Sequence, residues 1–475
     1  MIVVDRVLEV KLSELVREHV HRVKDAGGKG LVTAATVGFV LGFHGDKDHA
    51  DLFAVHLAKC PLPETVTDHT NSAVTLDEQT DTGESPRPVS TSTAVKRSAD
   101  CIDAEWIGYN ARQLLRTLPG GLDIIGLFLL SDKKTSNSLQ STLIKALRGL
   151  ARISAAVSWM GLRTSATCTM LLSVDEIVGR PGGTLVDWSS GALQTSSVRV
   201  AFQNLHLLSV QSRVSLQMPR PVALPQNLDM QNFRKVFLTA FKPLADSILS
   251  RSVFTVNEGL VSATDPVLNH ADKTDSVRLD FYVANAEVSD GRRSEVQCAA
   301  AHVQLKGSVQ CTGVLPQKAP LSAAIDALKQ DLLRSLYCRA ELHYESMEVV
   351  EDEYRDPMAI HQFPRRVLAA HPEHSSLLFS DYLFEGDTVN DALETFRDVL
   401  NLNLEQDQVQ DDLETPLSEE DLERLEIMLP IIEEAPSATS HKQPKTVLSS
   451  SLLYFAAAFL VVIIAFVVYC FLNYL

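Results

Sequence analysis

The stretch LRTLPGGLDIIGLFLL, residues 115–130, decides how this chain folds. Its first residues complete a helix, because Trp106, Ala111, Leu114, Leu115 and Leu118 fall on one face at helical spacing. Pro119, Gly120 and Gly121 stop that helix: proline cannot continue the hydrogen-bond ladder, and glycine takes a positive φ without the strain other residues suffer. The apolar run at 122–130 then suits a strand buried on both faces.

Upstream, residues 3–24 place Val4, Val7, Leu8, Leu12, Leu15, Val16, Val20 and Val23 mostly three and four apart, which predicts a helix with one buried face ended by AGGKG. TAATVGFVLGF (33–43) and DLFAVHLAKC (51–60) flank the polar turn HGDKDHA and read as a hairpin. Residues 64–100 lose the apolar period and fill with Thr, Ser, Pro and Asp, so the expectation is a disordered insert. Downstream, helix is expected at 139–155 and strands at 166–172 and 198–208. After MPRPVALP (218–225) come a helix near 230–249, strands near 277–285 and 299–311, a helix at 319–337, a strand at 376–384 and a helix at 389–400. The pattern is α+β, expected as domains 1–210 and 211–400 followed by an acidic linker at 401–446.

With 475 residues the chain is long enough for two or three domains, and its 45% hydrophobic and 22% charged content is that of a folded protein. The formal net charge of -17 argues against nucleic acid as a partner, since phosphate binding needs a basic stripe. The seven cysteines are scattered and form no CxxC pair, so neither a disulfide framework nor a zinc knuckle is indicated.

Residues 452–472, LLYFAAAFLVVIIAFVVYCFL, carry no charge, proline or glycine. As a helix this run is about 30 Å long, the thickness of a bilayer's hydrocarbon core. Leu452, Phe459, Ile463, Phe466 and Leu472 mark it as the expected membrane anchor. No signal peptide is visible at the start, and Lys442 and Lys445 precede the run, so the expectation is a tail anchor at 447–475 with the body in the cytosol.

The sequence matches no familiar catalytic pattern. His19 and His21 form an HxH, but on a helix they point about 200° apart, no Ser-x-x-Asp follows, and two surface histidines are the simpler reading. His44, Asp46, Asp48 and His49 read as a polar hairpin turn. No GxSxG elbow exists, no cysteine stands in a protease signature, and GGKG (27–30) is too short for a phosphate loop. No catalytic, cofactor or metal residue is therefore assigned.

GFVLGF (38–43), LRTLPGGLDIIGLFLL (115–130), VDW (186–188), VQLKGSVQCTGVLPQKAPLSAAIDALKQDLLRSL (303–336), PRRVLAAHPEHSSLLFSDYLFEGD (364–387) and the apolar run together resemble the odorant response abnormal protein 4 family. The resemblance implies an MPN-like N-terminal domain without a metal site, and a tail-anchored protein of the endoplasmic reticulum. It also implies roles in delivering a subset of G-protein-coupled receptors and in recruiting a ubiquitin-fold-modifier protease. The function expected is thus a non-enzymatic adaptor on the lipid bilayer, with those proteins as partners. A membrane-bound isopeptidase with an unrecognised site is the alternative, whereas a SNARE would need more apolar heptads than 401–446 contains.

Overall fold

The computed structural model describes residues 1–25, 35–45, 51–61, 102–157, 168–175, 179–188, 193–217, 222–225, 230–260, 262–284, 299–304, 306–349 and 360–414. The chain divides into two units, Met1–Glu426 and Ile427–Leu475, and every described residue belongs to the first. The insert at 64–100 and the apolar run at 452–472 therefore lie outside the described residues. Among those described, no helix is long and apolar enough to cross a membrane.

The chain opens with β1 (Ile2–Asp5), α1 (Val7–Asp25), β2 (Ala35–His44), β3 (Leu52–Lys59), α2 (Ala104–Thr117), β4 (Asp123–Ser131) and α3 (Lys133–Val157). It continues through β5 (Cys168–Asp175), β6 (Pro181–Asp187), β7 (Gln194–Val198) and β8 (Val200–Gln203). These strands form one eight-stranded mixed sheet in the order β7-β6-β5-β4-β2-β3-β1-β8. β2 and β3 pair antiparallel, as the hairpin reading expected, and all nine residues of β4 are buried.

Two expectations are corrected here. Residues 2–5 are not helix but a strand between β3 and β8, parallel to both, because Ile2, Val3 and Val4 are β-branched and buried on both sides. Asp5 ends it by accepting the Val7 amide at 3.1 Å, which starts α1. Nor is 198–208 one strand. β7 and β8 stand at opposite ends of the sheet order yet are joined by Arg199 alone, so the sheet curls until its ends meet. Gly183 of β6 accordingly packs so close to Ile2 and Val200 that a Cβ there would stand 2.7 and 2.9 Å from their side chains.

The curl encloses an apolar core of Ile2, Val4, Leu52, Ile125, Phe128, Met170 and Leu172, joined by Leu8, Leu12 and Leu15 of α1. The remaining elements are β9 (Leu207–Gln217), β10 (Val222–Pro225), α4 (Met230–Ser250), β11 (Ser252–Val256), β12 (Gly259–Leu260), β13 (Ser276–Arg278), β14 (Asp280–Val283), β15 (Ala299–Gln304) and β16 (Lys306–Pro316). Then come α5 (Leu321–Val349), β17 (Ile360–Gln362), β18 (Arg365–His371), β19 (His374–Leu383), α6 (Val389–Leu400) and β20 (Val409–Gln410). The long antiparallel pair of β9 with β16 packs with α4 and α5 around a second core. β18, β19 and β20 form a small sheet that, with α6, covers the outer side of the curled sheet beside α2 and α3.

This is a mixed α+β fold with several sheets. The division expected at 210/211 falls inside β9. The core beneath α2 and α3 also joins Leu114 and Leu127 with Val367, Phe379 and Phe396, so early and late segments share it.

Candidate functional site: a buried polar node joining three distant segments

The turn after α2 is clasped by α5. Gly120 N–H donates to Thr312 O at 3.0 Å and to Asp331 Oδ1 at 3.2 Å, and Gly121 N–H donates to Gln330 Oε1 at 2.9 Å. Arg334 Nη1 reaches the carbonyls of Leu118, Pro119 and Leu122 at 3.2–3.4 Å, supplying donors to the acceptors left over where α2 stops. Gly121 has a φ of +83°. Gly120 has no room for any side chain, since a Cβ would lie 1.9 Å from the Ala327 carbonyl oxygen.

Asp331 is the centre. Its Oδ2 accepts Thr312 N–H at 2.8 Å and Arg366 Nη1 at 2.6 Å, while Arg366 Nη2 donates to Oδ1 at 2.8 Å. The pair is bidentate with both side chains 1% exposed. Arg366 also donates to Gln310 O and Ser380 Oγ, and Ser380 Oγ donates back to Thr117 O. Burial alone would lower the pKa of Arg366, but Asp331, with Tyr382 and Glu414, outweighs it and holds the guanidinium above its ordinary value.

Glu414 completes the network at its far side. Both its oxygens accept from Arg339 Nη2 at 2.8 Å, and the backbone amides of Gln310 and Arg366 donate to it at 2.9 and 2.8 Å. The node thus ties together LRTLPGG, the β16–α5 segment and the β18–β19 hairpin, which belong to three of the strings that carry the family resemblance. It is occupied by its own donors and acceptors, so what it does is hold the segments in register.

Pro119, Gly120 and Gly121 lie in the node. His19 corrects the surface reading: it is buried, with Nδ1 2.9 Å from Thr36 Oγ1, because Leu8, Leu12, Leu15 and His19 form one stripe of α1. His21 is exposed, and His44 Nε2 donates to Cys168 O of β5, two strands away in the sheet, at 3.2 Å. Asp46, Asp48, His49 and the expected anchor residues Leu452, Phe459, Ile463, Phe466 and Leu472 lie outside the described residues.

Among the described residues no group of three or more His, Cys, Asp or Glu side chains is placed to hold a metal ion. Burial pushes the thiols of Cys60 and Cys338 up to about 12 and raises those of Cys168 and Cys311, so each is a thiol and not a nucleophilic thiolate at neutral pH. Sequence reasoning missed Asp331, Arg334, Arg339, Arg366 and Glu414. One signal was present: Ala324, Ala327, Leu328, Asp331 and Ser335 share a helical stripe, which puts a carboxylate on a buried face.

The fold and node define a mixed α+β body welded through buried charge. Residues 38–411 match the family described as odorant response abnormal 4-like, and the chain belongs to that family. It is 25% identical over 430 residues to odorant response abnormal protein 4 of Caenorhabditis elegans, covering 89% of this chain and 83% of that one. It is 26% identical over 330 residues to protein odr-4 homolog of Gallus gallus, covering 64% of this chain and 70% of the relative. Among solved structures, UfSP from C. elegans aligns with a TM-score of 0.42 and 9% identity over 84% of this chain and 56% of that one, too distant a likeness to define fold or activity.

Proposed function

We propose that this chain is a non-enzymatic adaptor held on the endoplasmic reticulum membrane by residues 447–475, with its body in the cytosol. It serves the trafficking of membrane proteins such as a subset of G-protein-coupled receptors, and recruits a ubiquitin-fold-modifier protease. The observation that carries this reading is the family match over 38–411, together with a relative whose name records an abnormal odorant response. The uncharged run at 452–472 supports the anchor. An MPN-like character for residues 1–210, without a metal site, belongs to the same reading. The packing of His19 and the raised thiol pKa values favour an adaptor over the isopeptidase alternative.

Affinity purification from detergent-solubilised membranes tests it, followed by incubation of the purified chain with a modifier-linked fluorogenic substrate beside a known protease. Receptors or a modifier protease should co-purify, and the chain alone should give no turnover. Turnover that survives repurification and is abolished by replacing one cysteine or histidine would replace the adaptor by the isopeptidase.

A further inference from the structure

A relay of two imidazoles crosses the seam between the curled sheet and the layer formed by α6 with β18 and β19. His56 Nε2 lies 2.9 Å from the carbonyl oxygen of Leu400, a pure acceptor, so that nitrogen carries the proton. His56 Nδ1 is then an acceptor and receives Nε2–H of His371 at 3.1 Å. His371 Nδ1 in turn accepts the backbone N–H of Glu373 at 3.1 Å. Hydrogen bonds run in one direction, from Glu373 through His371 and His56 to Leu400. Both rings are neutral and all four ring nitrogens are engaged.

This order leaves no place for another proton. Adding one to His56 Nδ1 sets two N–H groups against each other across the 3.1 Å gap. Turning the His371 tautomer to relieve that clash would aim its Nδ1–H at the Glu373 amide. Both rings are buried, edge to face at 5.1 Å between centroids, with the Phe379 ring 5.5 and 6.3 Å from them. The charged and titratable groups facing the pair are Lys11 of α1 and His374 of β19, both of which oppose protonation, and Asp5 at the end of β1, 3.5 Å from His374 Nε2. Beside the relay, the Lys59 amide donates to Asn401 Oδ1 across the same seam, and the Lys59 ammonium pairs outward with Glu18.

We propose that this relay is an acid-operated latch: while neutral it fastens the end of α6 and the His371 end of the β18–β19 hairpin to β3, and uptake of one proton frees them locally, before the curled sheet unfolds. Burial is the main reason the rings resist charging, holding His56 down to about 4 and His371 to about 2. The device is independent of the adaptor reading, since it needs only the described fold.

The test is backbone hydrogen exchange on the full chain in mild detergent between pH 7 and 4, corrected for intrinsic exchange. Peptides from 369–378 and 389–402 should exchange at least tenfold faster at the acid end, while 123–131 and 168–175 keep their protection. The double variant His56→Gln with His371→Asn keeps a donor toward Leu400 and an acceptor toward Glu373 but cannot charge, so its opening should move down by at least one pH unit. Opening at the unchanged pH in that variant, opening of 123–131 together with α6, or no opening would each overturn the latch. Should the variant not fold, ring C2 proton exchange on the unaltered chain decides: His56 and His371 titrating together with the opening supports the latch, and titration like free imidazole with the seam closed refutes it.

Discussion

The inside of the curled sheet and the node at Asp331 are equally shielded from water but built from opposite chemistries. Phe128, Met170 and Leu172 stabilise by area removed from water, a non-directional gain that tolerates repacking of similar volume. Asp331, Arg334, Arg366 and Glu414 stabilise only if each donor finds its acceptor, because a buried charge without its partner is costly. The first kind of core makes the chain compact. The second admits only one arrangement of the LPGG turn against the β16–α5 segment and the β18–β19 hairpin, roughly 200 residues further along the chain.

The comparison is broken most severely by Asp331→Ala, which strands Arg366, removes the acceptor for the Thr312 amide and takes one of the two acceptors from the Gly120 amide. The expected loss is about 5 kcal/mol, at the top of the range for breaking a buried pair. Denaturant unfolding of the chain ending at 446 would measure it. Replacing both partners, Asp331→Leu with Arg366→Met, should recover part of that loss, with a coupling visible in the double-mutant cycle. Simple addition of the two single losses would show that the pair does not act as a unit.

Gly120→Ala comes next. Its Cβ would meet the Ala327 carbonyl oxygen at 1.9 Å, so the turn must leave α5, at roughly 3–4 kcal/mol by the scale of core overpacking and lost hydrogen bonds. Gly179→Ala is the matched control. It has a φ of +66° but nothing within 4 Å, and should cost about 1 kcal/mol through backbone strain alone. Equal melting temperatures for the two variants would mean that contact with α5 adds nothing to the turn.

Acid should weaken the histidine seam by a smaller and graded amount. His56 is held at about 4 against an unfolded value of 6.5, so the unfolded chain binds the proton first as pH falls. Through His56 alone, stability is full above pH 6.5 and declines toward pH 4 by about 3 kcal/mol if that shift is taken whole. Melting temperature across that window checks the sign, and His56→Gln should flatten the slope. The smallest effect belongs to His21→Ala, an exposed position on α1, which should stay within about 0.5 kcal/mol.

How much of this was legible follows from the same contrast. β4, α2 and α6 were legible because continuous or three-to-four-spaced apolar residues report burial directly, and the LPGG turn because proline and glycine have few roles. β1 was hidden by running into α1 with no break in apolar spacing. β18 was hidden because RRVLAAH opens on two arginines, one of which is fully buried in the node. The curl of the sheet rests on Arg199 separating two strands that lie at opposite ends of the order, which no local period encodes. The node was illegible as a site, since its charges pair across 35 residues (Asp331 with Arg366) and 75 residues (Arg339 with Glu414), and the Gly120 amide reaches Asp331 across 211.

The proposed role is tested most directly by delivery of a receptor to the cell surface in cells lacking the endogenous protein. The full chain, the chain ending at 446 and the His56→Gln variant would be expressed at matched levels, with surface receptor counted by labelling intact cells. The full chain and His56→Gln are expected to restore surface receptor at neutral cytosolic pH, while the chain ending at 446 stays in the soluble fraction and restores little. Full rescue by the chain ending at 446, or no rescue by the full chain, would contradict a membrane-held adaptor.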